Sequence, residues 1–183
     1  MLPRDATVTP PSDGELAARL GQGDDGAFDA LYERHATPLL RLALRLLGSE
    51  DEAEDVVQDV FIGLPLALRH YDERGSFAAW LKLVTVRTAL MRRRSRERRR
   101  ETPIDAHSAM NHSTAPEPVL DRIALEVAIA ALPDALRDVF VLYHIEQLSH
   151  AEIASALGIR RGTAEVRLYR AIRRLRTLLE NDR

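Results

Sequence analysis

The sequence predicts an all-α chain: two small helical bundles joined by a flexible linker, the C-terminal one containing a helix-turn-helix. Three observations carry this. Apolar residues recur at three- and four-residue spacing in one segment after another, with no strand-like alternation and no Asn-Gly hairpin signal. The stretch "ETPIDAHSAMNHSTAPEP" is rich in Pro, Ser, Thr and His, lacks periodicity and divides the chain. Finally, "LSHAEIASALGIRRGTAEVRLYRAIRRLRTLL" splits at a glycine into a short helix, a turn and a longer helix.

The elements follow in order. Residues 1–13 are polar and Pro-rich, which predicts a disordered segment. From Glu15 the spacing turns helical through Leu16, Leu20, Phe28, Leu31 and Tyr32. "PLLRLALRLLG" reads as a second helix, with Pro38 near its start and Gly48 past its end. "SEDEAEDVVQDVFIGL" is a third, with Ser49 as N-cap and acids in the first turn, where the helix dipole favours them. Val56, Val57, Val60 and Phe61 form its buried side, and Pro65 is expected to end or kink it near Gly63–Leu64. "SFAAWLKLVTVRTALMRRR" is a fourth, with Ser76 as candidate cap and Arg96 to Arg100 continuing into the linker as a mobile arm. The expected limits are therefore 14–96 for the first bundle, 97–118 for the linker and 119–183 for the second bundle.

In the second bundle, Ser149 and Glu152 have the spacing of a capping box. Ile153 and Leu157 face the core, small Ala154 permits close helix approach, and Gly158 supplies the turn. The next helix starts near Arg161–Thr163 and buries Ala164, Leu168, Ala171, Ile172 and Leu175. Its opposite face presents Gly162, Glu165, Val166, Tyr169, Arg170 and Arg173, as a helix entering a major groove would. Arg167 and Arg174 flank that face and suit phosphates.

Charge is unevenly placed. The formal net charge of the 183 residues is only -2. Yet acids outnumber bases about two to one up to residue 75, whereas 82–100 and 160–176 are strongly basic. Two basic zones suit a polyanion, and the acidic zone suits a basic protein surface. Lys82 is the one lysine among many arginines.

Other classes are excluded. Without cysteine there are no disulfides or thiolate metal sites. No apolar run has the length of a membrane span, and the N-terminus lacks the apolar core of a signal peptide, so the cytoplasm is the expected location. No phosphate loop, nucleophile elbow or His-Glu metal motif occurs, so neither an enzyme nor a cofactor is expected. Asp51, Asp55 and Asp59 repeat every four residues along one helix face without a nearby histidine, which reads as a solvated face rather than a metal site. His107 and His112 fall in the linker; His144 and His150 read as structural or surface residues.

"FDALYERHATPLLRLALRLLGSEDEAEDVVQDVFIGL" followed by "FAAWLKLVTVRTALMRRR" resembles region 2 of bacterial sigma factors. "ALPDALRDVFVLYHIEQLSHAEIASALGIRRGTAEVRLYRAIRRLRTLL" resembles region 4. Two such regions with only a short linker between them resemble the extracytoplasmic-function (ECF) group, over nearly the whole chain from about Gly14 to Leu179. The resemblance implies a protein that binds core RNA polymerase, on the β′ clamp helices and the β subunit, and directs it to promoter DNA. It implies polymerase contacts at Glu54, Asp55, Gln58 and Asp59. It implies minus-ten contacts from Tyr71, Trp80, Lys82, Arg87, Arg92, Arg93 and Arg94, the arginines neutralising phosphates and an aromatic stacking on an unpaired base. Phe77 is expected in the core. Minus-thirty-five contacts are implied for Arg160, Arg161, Thr163, Glu165, Val166, Arg167, Tyr169, Arg170, Arg173 and Arg174. A separate anti-sigma factor is a further expected partner, and no homo-oligomer is required. Two positions depart from the family pattern: Pro65 stands where Trp is usual, and Arg87 where Asn is common.

Two other classes compete. A stand-alone helix-turn-helix regulator would normally dimerise on a two-fold operator, and no dimerisation helix follows the second bundle. A helical adaptor without a DNA role leaves both basic zones unexplained.

Overall fold

The computed structural model describes residues 10–71, 76–100 and 117–181. Among these residues lie eight α-helices and no strand. The first bundle comprises α1 (Asp13–Gly21), α2 (Asp25–Leu47), α3 (Glu50–Ala67) with a 3₁₀ turn at Leu68–His70, and α4 (Phe77–Arg100). The second comprises α5 (Glu117–Ala130), α6 (Asp134–Phe140) running into a π-turn at Val141–Ile145, α7 (His150–Leu157) and α8 (Arg161–Asn181).

Caps set most boundaries. Ser12 and Glu15 form a capping box at α1, Asp24 accepts from Ala27 N–H at α2, and Ser49 caps α3. Gly48 ends α2 at φ 71°, a left-handed conformation that a Cβ would strain. At α4 the Ser76 carbonyl accepts from Trp80 N–H.

Two proline expectations need correction. Pro38 does not open a helix; it lies inside the continuous α2, on its exposed side. Arg34, whose carbonyl loses its helical donor to Pro38, is an exposed residue like Pro38 itself, while Leu31, Leu39, Leu42 and Leu46 are buried along the other side. Pro65 likewise does not stop α3 near Gly63–Leu64. The helix runs through it to Ala67 and then tightens into the 3₁₀ turn. Burial of Phe61 and Leu64 on the inner face outweighs the missing bond on the outer one. The basic run is corrected too: α4 continues to Arg100, so Arg96 to Arg100 form its last turns rather than a mobile arm. Disorder is expected over 1–13 and a flexible linker over 97–118; residues 1–9 and 101–116 lie outside the described residues, whereas Ser12 caps α1 and Asp13 opens it, 97–100 belong to α4, and 117–118 open α5.

One continuous apolar cluster runs through both bundles. In the first, α2 packs on α1, α3 and α4 through Leu16, Leu31, Leu42, Val56, Leu64, Leu81 and Val86. In the second, α8 packs on α5, α6 and α7 through Val139, Leu142, Ile153, Leu157, Ala164, Leu168 and Leu175. The bundles also touch each other, α4 against α7 and α2 against α6.

Candidate protein and nucleic-acid interfaces

The acidic helix offers a mixed surface. Glu54, Asp55, Gln58 and Asp59 are all exposed on α3. Beside them an open groove of about 650 Å³ runs between α2 and α3, floored by Phe28, Tyr32, Leu40 and Phe61. Tyr32 and Phe61 rings lie 4.8 Å apart, and Phe28 meets Phe61 edge-on at 6.0 Å. Ile62 is 70% exposed and Leu66 62%, extending the row begun by Gln58 at four-residue steps. An acidic rim around exposed apolar side chains fits a basic, partly apolar protein surface. Ile62, Leu66 and Tyr32 are absent from the sequence-based set; the 58-62-66 spacing on the polar side of α3 was the signal available for the first two.

At the start of α4, Tyr71, Phe77 and Trp80 form a triangle with centroids 5.0–5.6 Å apart. Phe77 is buried, as expected, whereas Tyr71 and Trp80 are half-buried at its edge. Trp80 therefore combines packing with an accessible margin.

The arginines of α4 do not form one basic patch. Consecutive helical residues point about 100° apart, so Arg92, Arg93 and Arg94 leave the helix in three directions. Arg92 bonds Asp55 and reaches Asp59 at 3.2 Å, crossing onto the acidic face of α3. Arg93 is turned inward, only 11% exposed, and holds Asp138 of α6 through two hydrogen bonds, one of 2.9 Å. Arg94 points its guanidinium toward the Leu157 carbonyl at the end of α7, at 3.5 Å. Arg96 pairs with Glu52 at 2.6 Å, and Lys82 with Glu146 at 2.7 Å. Arg87 is exposed. The bond to Asp138 raises Arg93 above its ordinary value, so its charge is held. Burial pushes the Asp138 carboxyl up, and the Arg93 hydrogen bonds oppose that shift.

The helix-turn-helix follows the sequence closely. Ser149 and Glu152 make the capping box, Gly158 turns the chain at φ 67°, and α8 begins at Arg161. Two hydrogen bonds from Ser149 hold the Glu152 carboxyl below its usual value, the hydroxyl bond contributing most. Ala164, Leu168, Ala171 and Leu175 are buried and Ile172 is half-buried. Arg160, Arg161, Glu165, Val166, Tyr169, Arg170, Arg173 and Arg174 are exposed; Thr163 and Arg167 are half-exposed at the flank. Tyr169, at 65% exposure, and Val166, at 50%, are apolar groups held in water on a rigid helix, as thymine-methyl contacts would be. Arg161 is tied to Glu165 at 3.0 Å, one turn along. His144 and His150 lie against Phe140 and Tyr143, consistent with structural roles. Among the described residues no cluster of metal-ligating groups occurs.

Comparison with known proteins gives a consistent picture. Residues 31–99 match Sigma-70 region 2, and residues 122–175 match Sigma-70, region 4. The chain is 35% identical over 166 residues to the ECF RNA polymerase sigma factor SigE of Mycolicibacterium smegmatis, an overlap of 86% of this chain and 64% of SigE. It is 36% identical over 158 residues to SigL of Mycobacterium tuberculosis, covering 82% of this chain and 88% of SigL. Among solved structures, CnrH in complex with the cytosolic domain of CnrY matches with a TM-score of 0.63 at 29% identity, over 94% of this chain and 100% of CnrH. The sigma factor RpoE in complex with the anti-sigma factor NepR, from Bartonella quintana, matches with a TM-score of 0.65 at 26% identity, over 85% of this chain and 98% of RpoE.

Proposed function

The chain belongs to the ECF group of the sigma-70 family, and from that premise we propose how its two bundles divide promoter recognition. The first bundle docks on core RNA polymerase through Glu54, Asp55, Gln58 and Asp59 together with the apolar row Tyr32, Ile62 and Leu66. The same bundle meets the minus-ten element through α4, with Tyr71 and Trp80 at the melting point and Lys82, Arg87 and Arg92 to Arg94 on the backbone. The second bundle lays α8 in the major groove of the minus-thirty-five element. Arg170 donates to a guanine, Glu165 accepts from a cytosine, and Val166 and Tyr169 touch thymine methyls. Arg160, Arg161, Thr163, Arg167, Arg173 and Arg174 hold the flanking phosphates and groove edges.

The protein is an initiation factor rather than an enzyme, and it works where core polymerase is, in the cytoplasm. No described helix is long and apolar enough to cross a membrane. A separate anti-sigma factor controls it, as the complex of RpoE with NepR supports. The observation that carries this reading is the solvent-facing row Val166, Tyr169, Arg170 and Arg173 on the second helix of a capped helix-turn-helix. Co-purification with core polymerase in the absence of DNA, then transcription from a promoter library, tests it. A chain that binds operator DNA but never core polymerase would be a stand-alone regulator instead.

A further inference from the structure

A cleft of about 290 Å³ lies between α2 and the α5–α6 corner. Two of its walls are helix stripes. Arg41, Leu44, Arg45 and Gly48 follow the i, i+3, i+4, i+7 pattern of one face of α2. Glu126, Ile129 and Ala130 follow the same pattern on α5, and Arg137 of α6 adds a third cation. Leu44, Ile129 and Ala130 supply the apolar part of the lining.

The charges here are arranged unlike those of α4. Arg92, Arg93 and Arg96 each face a carboxylate. Arg41 and Arg45 have no hydrogen bond or ion pair among the described residues, although they stand four residues apart on one helix, where like charges repel. The dipole of α2 favours a cation in its last turn, which accounts for Arg45 but not for Arg41 a turn earlier. The Arg137 side chain is only 12% exposed. Its Nη1 donates to the Ala130 carbonyl at 3.0 Å and its Nη2 pairs with Asp134, but its Nε–H is buried without an acceptor. With Arg137 answered by Asp134, the two unpaired arginines against Glu126 leave a single positive charge over.

An apolar lining with a few convergent polar groups is the usual make-up of a small-molecule site. A bare phosphate would make no use of Leu44 and Ile129, an uncharged apolar molecule none of the arginines, and a dianion would overshoot the charge. We propose that this cleft binds a small amphipathic carboxylate. Its tail lies against Leu44, Ile129 and Ala130, and its carboxylate accepts from the guanidinium groups of Arg41 and Arg45, whose forked donors match that geometry. At about 30 Å³ per non-hydrogen atom the cleft holds roughly ten of them, the size of octanoate. Such a site gives the chain a chemical input separate from its protein and DNA partners. It goes beyond the sigma-factor reading and does not depend on it, since none of these residues is assigned above to polymerase or promoter.

The test titrates octanoate into the full chain carrying isotope-labelled Leu and Ile methyl groups. The Leu44 and Ile129 signals should shift together and saturate, with half-saturation at about 0.1–5 mM, as a ligand of roughly ten atoms gives. Octanol and octylammonium keep the tail, acetate and inorganic phosphate keep an anion, and each should bind at least about tenfold more weakly. Arg41→Gln and Arg45→Gln should each weaken octanoate by about threefold or more, and together should abolish saturation. Neither should change helicity, because neither arginine has an internal partner to lose. Should the double variant nevertheless lose helix by circular dichroism, Ala130→Leu decides: it fills the cleft without touching the charges and should also abolish saturation. Saturation unchanged in the folded double variant, or in Ala130→Leu where that variant decides, would overturn the proposal. So would an equal response to octylammonium or phosphate, or methyl shifts that spread through both bundles without saturating. Polymerase is absent throughout, so the outcome stands apart from that of the sigma-factor tests.

Discussion

Reversing Asp55 and Asp59 to Lys separates the folding role of the α3 acids from the docking role proposed for them. In the free chain both carboxylates face Arg92 and are half-exposed, at 50% and 57% of the side chain. Exposed pairs of this kind contribute about 0.2–1 kcal/mol. Two lysines in their place add a repulsion of about 1 kcal/mol at 4 Å in water. The fold should therefore lose about 1.5–3 kcal/mol, a fall of roughly 6–24 °C in melting temperature for a bundle of this size. Against polymerase the loss should be larger. Close interfacial charge pairs couple by about 1.5 kcal/mol or more, so two reversals cost at least about 3 kcal/mol, more than a hundredfold in affinity. Fluorescence titration of labelled protein with core polymerase, beside thermal unfolding of the same samples, reads both numbers. Arg92→Ala sharpens the result. It frees the two acids from their internal partner, so core binding should tighten up to about fivefold, the worth of an exposed pair. If the double reversal changes core affinity less than about threefold, α3 is not the docking helix. If Arg92→Ala weakens core binding, Arg92 belongs to the interface rather than competing with it.

Three further outcomes are expected. Arg170→Ala should cost about 1–3 kcal/mol on the matched minus-thirty-five base and little on a mutated one, read by promoter titration; an equal loss on every sequence would make Arg170 a phosphate contact. Ser149→Ala should destabilise the second bundle by about 1 kcal/mol near pH 7, measured by hydrogen exchange in the full chain. Glu152 is held below its ordinary 4.5 in the fold, so its share of the capping box is complete above that value and lost as pH falls through the depressed one. The gap between the unaltered chain and Ser149→Ala should narrow in that acid window, and a constant gap would separate the two residues' roles. Pro65→Ala should stabilise the first bundle by about 1–3 kcal/mol in chemical denaturation, since the Phe61 carbonyl regains the N–H that proline lacks; a destabilised variant would show that Pro65 packs in a way its exposure does not suggest.

Local chemistry made the helix-turn-helix legible. Ser149, Glu152 and Gly158 act within a few residues of themselves, and the buried row Ala164, Leu168, Ala171, Leu175 is a periodicity. The prolines were misread for the complementary reason. Their local cost is real, but Leu39 and Leu64, buried by helices distant in sequence, decide that α2 and α3 continue. The π-turn after α6 left no signal in "VLYHI", since its wider register is fixed by tertiary packing. Nor could composition show that Arg93 is nearly enclosed, because its acid stands 45 residues away in another bundle.

The run "RTALMRRRSRERRR" thus does two things that its density alone does not distinguish. On a helix, neighbours diverge, so a block of arginines is a set of separate connections rather than one surface. Arg92 ties α4 to α3, Arg93 ties it to α6, and Arg96 ties it back to Glu52 near the start of α3. Each of these cations has an acidic partner within the chain. Arg92 and Arg96 stay inside the first bundle and fix α4 against α3, whereas Arg93 alone of the three reaches the second bundle. For a DNA phosphate to bind any of them, that arginine must first give up its carboxylate, so the phosphate contact is worth only the difference between the two pairings.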